Sequence, residues 1–228
     1  EIFFRITLLT YLYDIPSDRQ VCEEIRYNML YRWFCRMSLE DKVPDHSSLT
    51  RIRDRMGEET FKKIFEKMIR HCIDKKLIKA TKVMIDGSLI KADAALNSMV
   101  EKNEDGSPSE KEPPKYIKGQ RYSNNTHVSS SDPDSTLAGK IGEPKQLRYK
   151  VHSTIDRESR IIIDPHVTTG TDVEGKTCMG RLNHIEETFG VKIEELTADR
   201  GYGYGTNLHQ LEERGVTTFI PNFHQDEG

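Results

Sequence analysis

Two aspartates in this sequence follow short strand-like segments and are themselves followed closely by glycine. Asp86 comes after residues 83–85, and Asp199 comes after residues 195–198. Each pattern predicts a buried strand that ends in a turn at the aspartate, where side chains of an open sheet face a crevice. Carboxylates on neighbouring strands can hold Mg²⁺ for phosphodiester chemistry, although Asp-Gly is also an ordinary turn pair. From position alone, a metal site and a pair of turn residues both stand as interpretations.

The elements around the two aspartates alternate between strand-like and helix-like patterns. The pattern predicts a strand at 83–85 and then a hairpin of two strands, 147–156 and 160–169. A helix over 173–189 and a strand that ends at Asp199 follow. The last predicted elements are a helix over 204–214, which Gly215 caps, and a strand near 217–221. This order predicts an α/β fold with a mixed sheet.

The first part of the chain has a different periodicity. Residues 1–79 predict a helical domain, in which Ser17 and Gln20 form a capping box and Gly57 interrupts a later helix. Helical spacing from Val21 to Trp33 predicts one continuous helix, with Trp33 in the core. Residues 80–228 form the second predicted domain. Within it, residues 97–146 are polar and rich in Ser, Pro, Gly, Lys and Glu, which predicts a flexible insertion.

The net charge of −3 does not by itself indicate a nucleic-acid-binding protein, but the charges are unevenly distributed. Residues 1–81 carry a net charge of +3 and residues 115–160 carry +4, whereas residues 82–114 carry −3 and residues 161–228 carry −7. Alternating basic and acidic segments suit a protein that binds a polyanion in some places and a divalent metal in others. They suit an ordinary solvated surface equally well.

Several classes of protein are disfavoured by composition. The sequence contains no apolar run close to the roughly 20 residues that a membrane span needs, so no membrane association is expected. Its four cysteines include no Cys-x-x-Cys pair, which favours buried free thiols over a zinc site. The chain starts on Glu1 without methionine, so we expect a piece of a longer cytoplasmic protein.

Four segments together resemble the insertion-sequence transposases of bacteria and archaea, which use an Asp-Asp-Glu triad on a ribonuclease H-like fold. The stretch from LLTYLYDIPSDRQ to SSLTRIRDRM is similar to the helical domain that precedes the catalytic core in this group. IDGSLIKADA resembles the strand with the first Asp, and SSSDPDSTLAGK with LRYKVHSTID resembles the segment after a variable insertion. ELTADRGYG resembles the strand with the second Asp, whose usual form is Asp-x-Gly-Tyr. Each segment alone is weak evidence, but their order and spacing extend over nearly the whole chain.

The resemblance implies a helical amino-terminal domain followed by a ribonuclease H-like catalytic domain, with Asp86 and Asp199 as the first two catalytic and metal-binding carboxylates. It implies Mg²⁺ or Mn²⁺ as cofactor, with two ions in the complete enzyme. The implied reaction is cleavage of transposon ends and strand transfer into target DNA by in-line phosphoryl transfer. The implied partners are the terminal inverted repeats, the target DNA and a second copy of the chain, in a homodimer at the nucleoid.

The family's third carboxylate belongs to a downstream helix with a Tyr–Arg–Glu–Lys pattern. That pattern does not occur before Gly228. We therefore expect this chain to bind metal weakly and to cut poorly. Two other functions stay open: a ribonuclease H-like nuclease that cuts without strand transfer, and a non-catalytic DNA-binding remnant of a transposase.

Five cationic or potentially cationic residues are candidates for DNA contact. Arg51 and Arg55 lie on one predicted helix, Lys150 and His152 alternate along one predicted strand, and Arg200 follows the second aspartate directly. Any of them could neutralise phosphate. For each one, an ordinary surface position or a salt bridge is the competing interpretation.

Overall fold

The computed structural model of the protein describes residues 1–110, 122–140 and 142–221. Its internal contacts divide the chain into two units, Glu1–Lys67 and Met68–Gly228. The boundary falls inside a helix, earlier than the division after residue 79 that the change of periodicity predicts. Both aspartates that the sequence assigns to chemistry lie in the second unit.

The first unit is helical. Its helices are α1 (Ile2–Leu12), α2 (Asp18–Tyr27), α3 (Met29–Phe34) and α4 (His46–Asp74), the last of which continues into the second unit. The Ser17 side chain accepts a hydrogen bond from the Gln20 N–H at 3.2 Å, which is one half of the predicted capping box, whereas the Gln20 side chain donates to Glu24 instead. Gly57 breaks α4 at a φ of 66°, which glycine adopts without a steric penalty. The predicted interruption is therefore confirmed.

One helical prediction in this unit is wrong. The spacing from Val21 to Trp33 predicts a single helix, but α2 ends just before Asn28, which takes an extended conformation. The Oδ1 atom of Asn28 accepts a backbone N–H at 2.9 Å and starts α3. Because the restart changes the direction of the following side chains, Trp33 is 77% exposed instead of buried.

The second unit is built on strands and two further helices. The strands are β1 (Lys82–Lys91), β2 (Met99–Glu101), β3 (His127–Ser129), β4 (Thr136–Ala138), β5 (Gln146–Asp156), β6 (Ile162–Thr169), β7 (Glu195–Ala198) and β8 (Thr217–Phe219). The helices are α5 (Glu174–Phe189) and α6 (Gly205–Glu213). No helix within the described ranges is long and apolar enough to cross a membrane.

Five of these strands lie in the order β6–β5–β1–β7–β8. The pairs β6–β5 and β5–β1 are antiparallel, whereas β1–β7 and β7–β8 are parallel. Parallel neighbours need a crossover, and α5 and α6 provide the two that are required. Three antiparallel strands extended by two parallel ones in this order form the ribonuclease H-like topology. The predicted fold class is confirmed, including the hairpin of β5 and β6.

The segment between β1 and β5 is more ordered than its composition suggests. Strands β2 and β3 pair with each other, and β4 pairs with the start of β5. Met99, Val128 and Leu137 are 1%, 6% and 6% exposed, so the few apolar residues of this polar segment reach a core. The described parts of the range 97–146 thus contain paired strands that the sequence analysis did not predict, and the flexibility of the insertion stays a prediction. Residues 111–121 and 141 lie outside the described residues.

Candidate active site

The sheet places Asp86 and Asp199 side by side. The parallel pairing of β1 with β7 stops at Ile85 opposite Ala198, and the two aspartates are the next residues along each chain. Neighbouring strands are about 4.8 Å apart, so Asp86 and Asp199 follow directly from two adjacent strands at the point where the pairing of those strands ends. Asp86 does not end its strand, because β1 continues and Gly87 pairs with β5. The predicted turn at Asp86 is therefore wrong, whereas the predicted neighbourhood of the two aspartates is present.

Local backbone groups orient both carboxylates. The Oδ1 atom of Asp86 accepts the Gly87 N–H at 2.8 Å. Asp199 caps a short 3-10 turn, and its Oδ1 atom accepts the Gly201 N–H at 2.9 Å. Each bond comes from the backbone of a residue one or two positions further along the chain, so each carboxylate is oriented by local backbone groups.

A third carboxylate lies beside them and was missed by the sequence analysis. Glu174 is the first residue of α5, and a Cβ atom on Gly87 would lie only 2.8 Å from its Oε1 atom. A Cβ atom on Gly201 would overlap the same carboxylate and would lie 3.1 Å from Oδ1 of Asp199. The two glycines therefore leave the space that Glu174 occupies. An acidic residue in the first turn of a helix is common for local electrostatic reasons, so its type alone gave no signal.

Asp86, Asp199 and Glu174 together form a site that we call the carboxylate crevice, and its charges perturb the pKa of one of the aspartates. Partial desolvation raises the pKa of Asp199, and the negative charges of Glu174 and Asp86 raise it further. The N–H bond from Gly201 and the charge of Lys150 act in the opposite direction and do not cancel the rise. The crevice thus concentrates negative charge in the way that a cation-binding site does.

Lys150 is the predicted DNA-contact residue that the structure places nearest to this charge. Its Nζ atom lies 3.2 Å from Oε1 of Glu174 and donates a hydrogen bond to the Asp172 carbonyl oxygen at 2.7 Å. Arg200 is half-buried in the 3-10 turn that follows Asp199. Lys150 therefore lies at the carboxylate crevice, whereas Arg200 is placed only by its position next to Asp199 in the turn.

The other candidates for DNA contact lie elsewhere. His152 is fully buried, so its ring has no surface to offer to DNA, and we withdraw that part of the prediction. His152 lies on the same face of β5 as Lys150, as the alternation along the strand predicts, but α5 and the 3-10 turn cover this face at His152. Arg51 and Arg55 are exposed on α4 in the first unit. Their position is compatible with the prediction and does not test it.

The residues of the crevice fit a divalent metal by donor type and by charge. Mg²⁺ and Mn²⁺ prefer oxygen ligands, and Mg²⁺ commonly uses one or two carboxylates together with water and substrate phosphate. Asp86 and Asp199 supply two such carboxylates, and their surroundings include the further negative charge of Glu174. Within the described ranges, no group of three or more His, Cys, Asp or Glu side chains is arranged so that it could hold a metal ion.

Comparisons with known proteins agree with the motifs of the first unit. Residues 1–55 match the family model described as a transposase domain (DUF772). The predicted resemblance to transposases is confirmed for this segment. No curated protein matches the chain.

Solved structures that align with the chain include transposase complexes. The Mos1 transposase paired-end complex with left transposon end aligns at 11% identity and a TM-score of 0.30, over 95% of this chain and 57% of that one. The piggyBac transposase synaptic complex with hairpin DNA aligns at 12% identity and a TM-score of 0.43, over 100% and 42%. The Mos1 mariner paired end complex with Mn aligns at 10% identity and a TM-score of 0.32, over 96% and 59%. The chain thus spans less than two thirds of each of these proteins, and its ribonuclease H-like fold is established by strand order and register.

Proposed function

We propose that this chain, which carries a transposase domain over residues 1–55, is a DNA transposase that cleaves transposon ends and joins them to target DNA. The observation that carries the proposal is the register of β1 and β7, which sets Asp86 and Asp199 side by side on a ribonuclease H-like sheet. The two aspartates are also the residues that match the family's first two catalytic carboxylates. The proposed partner is DNA, bound by a homodimer.

In the proposed reaction, the protein binds and orients, and no side chain forms a covalent intermediate. Asp86 and Asp199 would hold the divalent metal, which would supply the means to activate water and to stabilise charge on the reacting phosphate. The sheet fixes the separation of the two carboxylates, so little reorganisation is needed when DNA arrives. We propose that Lys150, whose ammonium group lies 3.2 Å from Oε1 of Glu174, contacts a phosphate at the edge of the crevice when the carboxylates bind metal.

The test is a cleavage and joining assay. The protein is incubated with labelled DNA that carries the terminal repeats flanking its gene, in the presence of Mg²⁺ or Mn²⁺. We expect cut ends and joined products, and we expect Asp86→Asn and Asp199→Asn to reduce both by about a hundredfold or more. DNA binding should be retained in both variants, because the carboxylates repel phosphate.

The matched control is Asp93→Asn, which changes an exposed aspartate shortly after β1 and should leave the rates unchanged. Cleavage by wild-type protein without any joined product would favour the nuclease. Binding of the repeats without cleavage would favour the non-catalytic remnant. Retained cleavage in Asp199→Asn would refute the assigned site.

A further inference from the structure

A buried polar chain lies beneath the carboxylate crevice. His152 on β5 and Tyr202 in the 3-10 turn are both 0% exposed, and the His152 Nδ1 atom lies 3.1 Å from the Tyr202 hydroxyl. On the other side of the ring, Nε2 lies 3.0 Å from the Thr168 hydroxyl on β6. Two large polar side chains without solvent contact are costly to bury unless their groups are paired, and these bonds supply the partners that His152 and Tyr202 need.

The partners define the direction of each hydrogen bond. The Thr168 hydroxyl donates to the Thr169 carbonyl oxygen at 3.3 Å, so it accepts from the Nε2–H group of His152. The Nδ1 atom then carries the lone pair and lies 3.1 Å from the Tyr202 hydroxyl and 3.4 Å from the Thr177 hydroxyl. Because Thr177 donates to the Glu174 carbonyl oxygen at 2.8 Å, the donor to Nδ1 is Tyr202. Burial lowers the pKa of His152 to about 4, which agrees with a neutral ring in this tautomer. Both ring nitrogens of His152 therefore have a hydrogen-bond partner.

Tyr202 joins this series of hydrogen bonds to the 3-10 turn that follows Asp199. Tyr202 is the last residue of the 3-10 turn that Asp199 caps, and its N–H donates to the Asp199 carbonyl oxygen at 3.2 Å. Its own carbonyl oxygen accepts from the Asn207 side chain at 3.2 Å, and the same amide donates to the Gly175 carbonyl oxygen at 2.8 Å. The turn after Asp199 is thus tied to β5 by the tyrosine hydroxyl and to the start of α5 by the asparagine.

We infer that His152 and Tyr202 are positioning residues that fix the turn carrying Asp199, and thereby the affinity of the crevice for divalent metal. This inference rests on the proposed function, because it concerns the same metal site. Neither side chain contacts the reacting atoms. They act through the backbone of the turn, and a loosened turn would spread Asp199 over several orientations, of which few bind metal.

The test uses single-atom changes and two readouts that need no catalysis. Tyr202→Phe removes the hydroxyl and keeps the buried ring. We expect its affinity for Mn²⁺, titrated by electron paramagnetic resonance, to fall by roughly threefold to tenfold, the range that one lost hydrogen bond gives. We also expect faster hydrogen exchange in a peptide spanning 199–204. Thr168→Val, which acts at the far nitrogen of His152, should change both readouts in the same direction.

Thr154→Val is the matched control. Thr154 is 0% exposed and lies on β5 two residues after His152, and its hydroxyl has no hydrogen-bond partner among the described residues. Its loss should leave Mn²⁺ affinity and exchange in 199–204 unchanged. A purely structural role for Tyr202 would lower the free energy of unfolding without changing either readout in the folded protein, and that result would overturn the inference.

Asp199→Asn distinguishes a failure of the positioning inference from a failure of the proposed metal site. If this variant loses Mn²⁺ binding while Tyr202→Phe and Thr168→Val bind as tightly as wild type, the positioning inference fails and the metal site stands. If Asp199→Asn binds Mn²⁺ as tightly as wild type, the proposed metal site itself fails. If Tyr202→Phe does not fold, the result for Thr168→Val decides the inference.

Discussion

At Asp199, folding and metal binding make opposite demands on one carboxyl group. The pKa of Asp199 is raised by partial desolvation and by the charges of Glu174 and Asp86, so folding makes its ionised form less favourable than it is in the unfolded chain. Metal binding requires the ionised form. The crevice therefore keeps an unfavourable charge arrangement that a divalent cation would relieve, as the proposed function requires.

This conflict predicts that Asp199→Asn stabilises the metal-free fold. A carboxyl group with a raised folded pKa contributes stability that is present below its unfolded pKa of about 3.9 and is lost as the pH rises through the folded pKa. Asparagine is neutral throughout, so its advantage over aspartate should be present at pH 7 and should vanish near pH 3. Urea unfolding at the two pH values, with metal chelated, measures the difference.

Glu195→Gln on the same strand provides the control of opposite sign. Hydrogen bonding to Lys82 lowers the pKa of Glu195, and Arg157 pairs with the same carboxylate at 2.8 Å. Its ionised form therefore stabilises the fold above the unfolded pKa, and Glu195→Gln should lower the urea midpoint at pH 7. A midpoint at pH 7 that is lower in Asp199→Asn than in wild type would contradict the electrostatic account of the crevice.

The sequence located two carboxylates of the crevice but not their surroundings. Asp86 and Asp199 were identifiable because each follows a strand-like segment and matches a motif of the family that the sequence resembles, and the parallel pairing of β1 with β7 then brings them together. Glu174 and the His152–Tyr202 pair could not be assigned, because their roles depend on how α5 and the 3-10 turn pack on β5. Such contacts join residues far apart in the chain, and no local periodicity encodes them.

Among the elements, α5 forms one wall of the crevice and is anchored to the sheet by a buried ion pair. The Arg181 Nε atom donates to Oδ2 of Asp164 on β6 at 2.7 Å, and a second bond joins Nη2 to Oδ1. The two side chains are 15% and 5% exposed. Cys178, Leu182 and Ile185 are buried on the same helix. The ion pair therefore fixes the position of α5 along the strand, whereas the apolar residues hold it against the sheet.

Breaking one half of this pair should cost more than removing both. Asp164→Ala leaves the Arg181 charge half-buried without its carboxylate, and we expect a loss of about 3–5 kcal/mol in the free energy of unfolding. The double variant Asp164→Ala with Arg181→Met should recover part of that loss. Glu187→Ala, an exposed position on α5, should change stability by less than about 0.5 kcal/mol. A double variant that is less stable than Asp164→Ala would contradict this account.

Element prediction succeeded where one apolar pattern determined the structure. The helix predicted over 173–189 is observed at Glu174–Phe189, and the β5–β6 hairpin forms where two strand-like segments flank a polar turn. It failed where a side chain overrode the pattern, as Asn28 does between α2 and α3. It also missed the strands β2 and β3, where Met99 and Val128 are buried in two segments that pair although they are far apart in the sequence.

For the whole molecule, net charge does not explain how DNA would be attracted. The first unit, Glu1–Lys67, contains 12 Lys and Arg residues and 12 Asp and Glu residues, so it is electrically neutral overall. Attraction to DNA must then come from the arrangement of individual cations on the surface. Arg51 and Arg55 are exposed and are spaced one helical turn apart on α4, which places them on one face. Arg53 on the same helix is paired with Asp18 at 3.2 Å.

This arrangement predicts a specific change in the salt dependence of DNA binding. If Arg51 and Arg55 each contact a phosphate, the double variant with Gln at both positions should bind all DNA sequences more weakly. It should also reduce the slope of log affinity against log salt by about two. Arg53→Gln should have a much smaller effect, because its guanidinium is already neutralised by Asp18. Binding measured by fluorescence anisotropy between low and moderate salt distinguishes the variants, and equal slopes would place the DNA contact outside this face of α4.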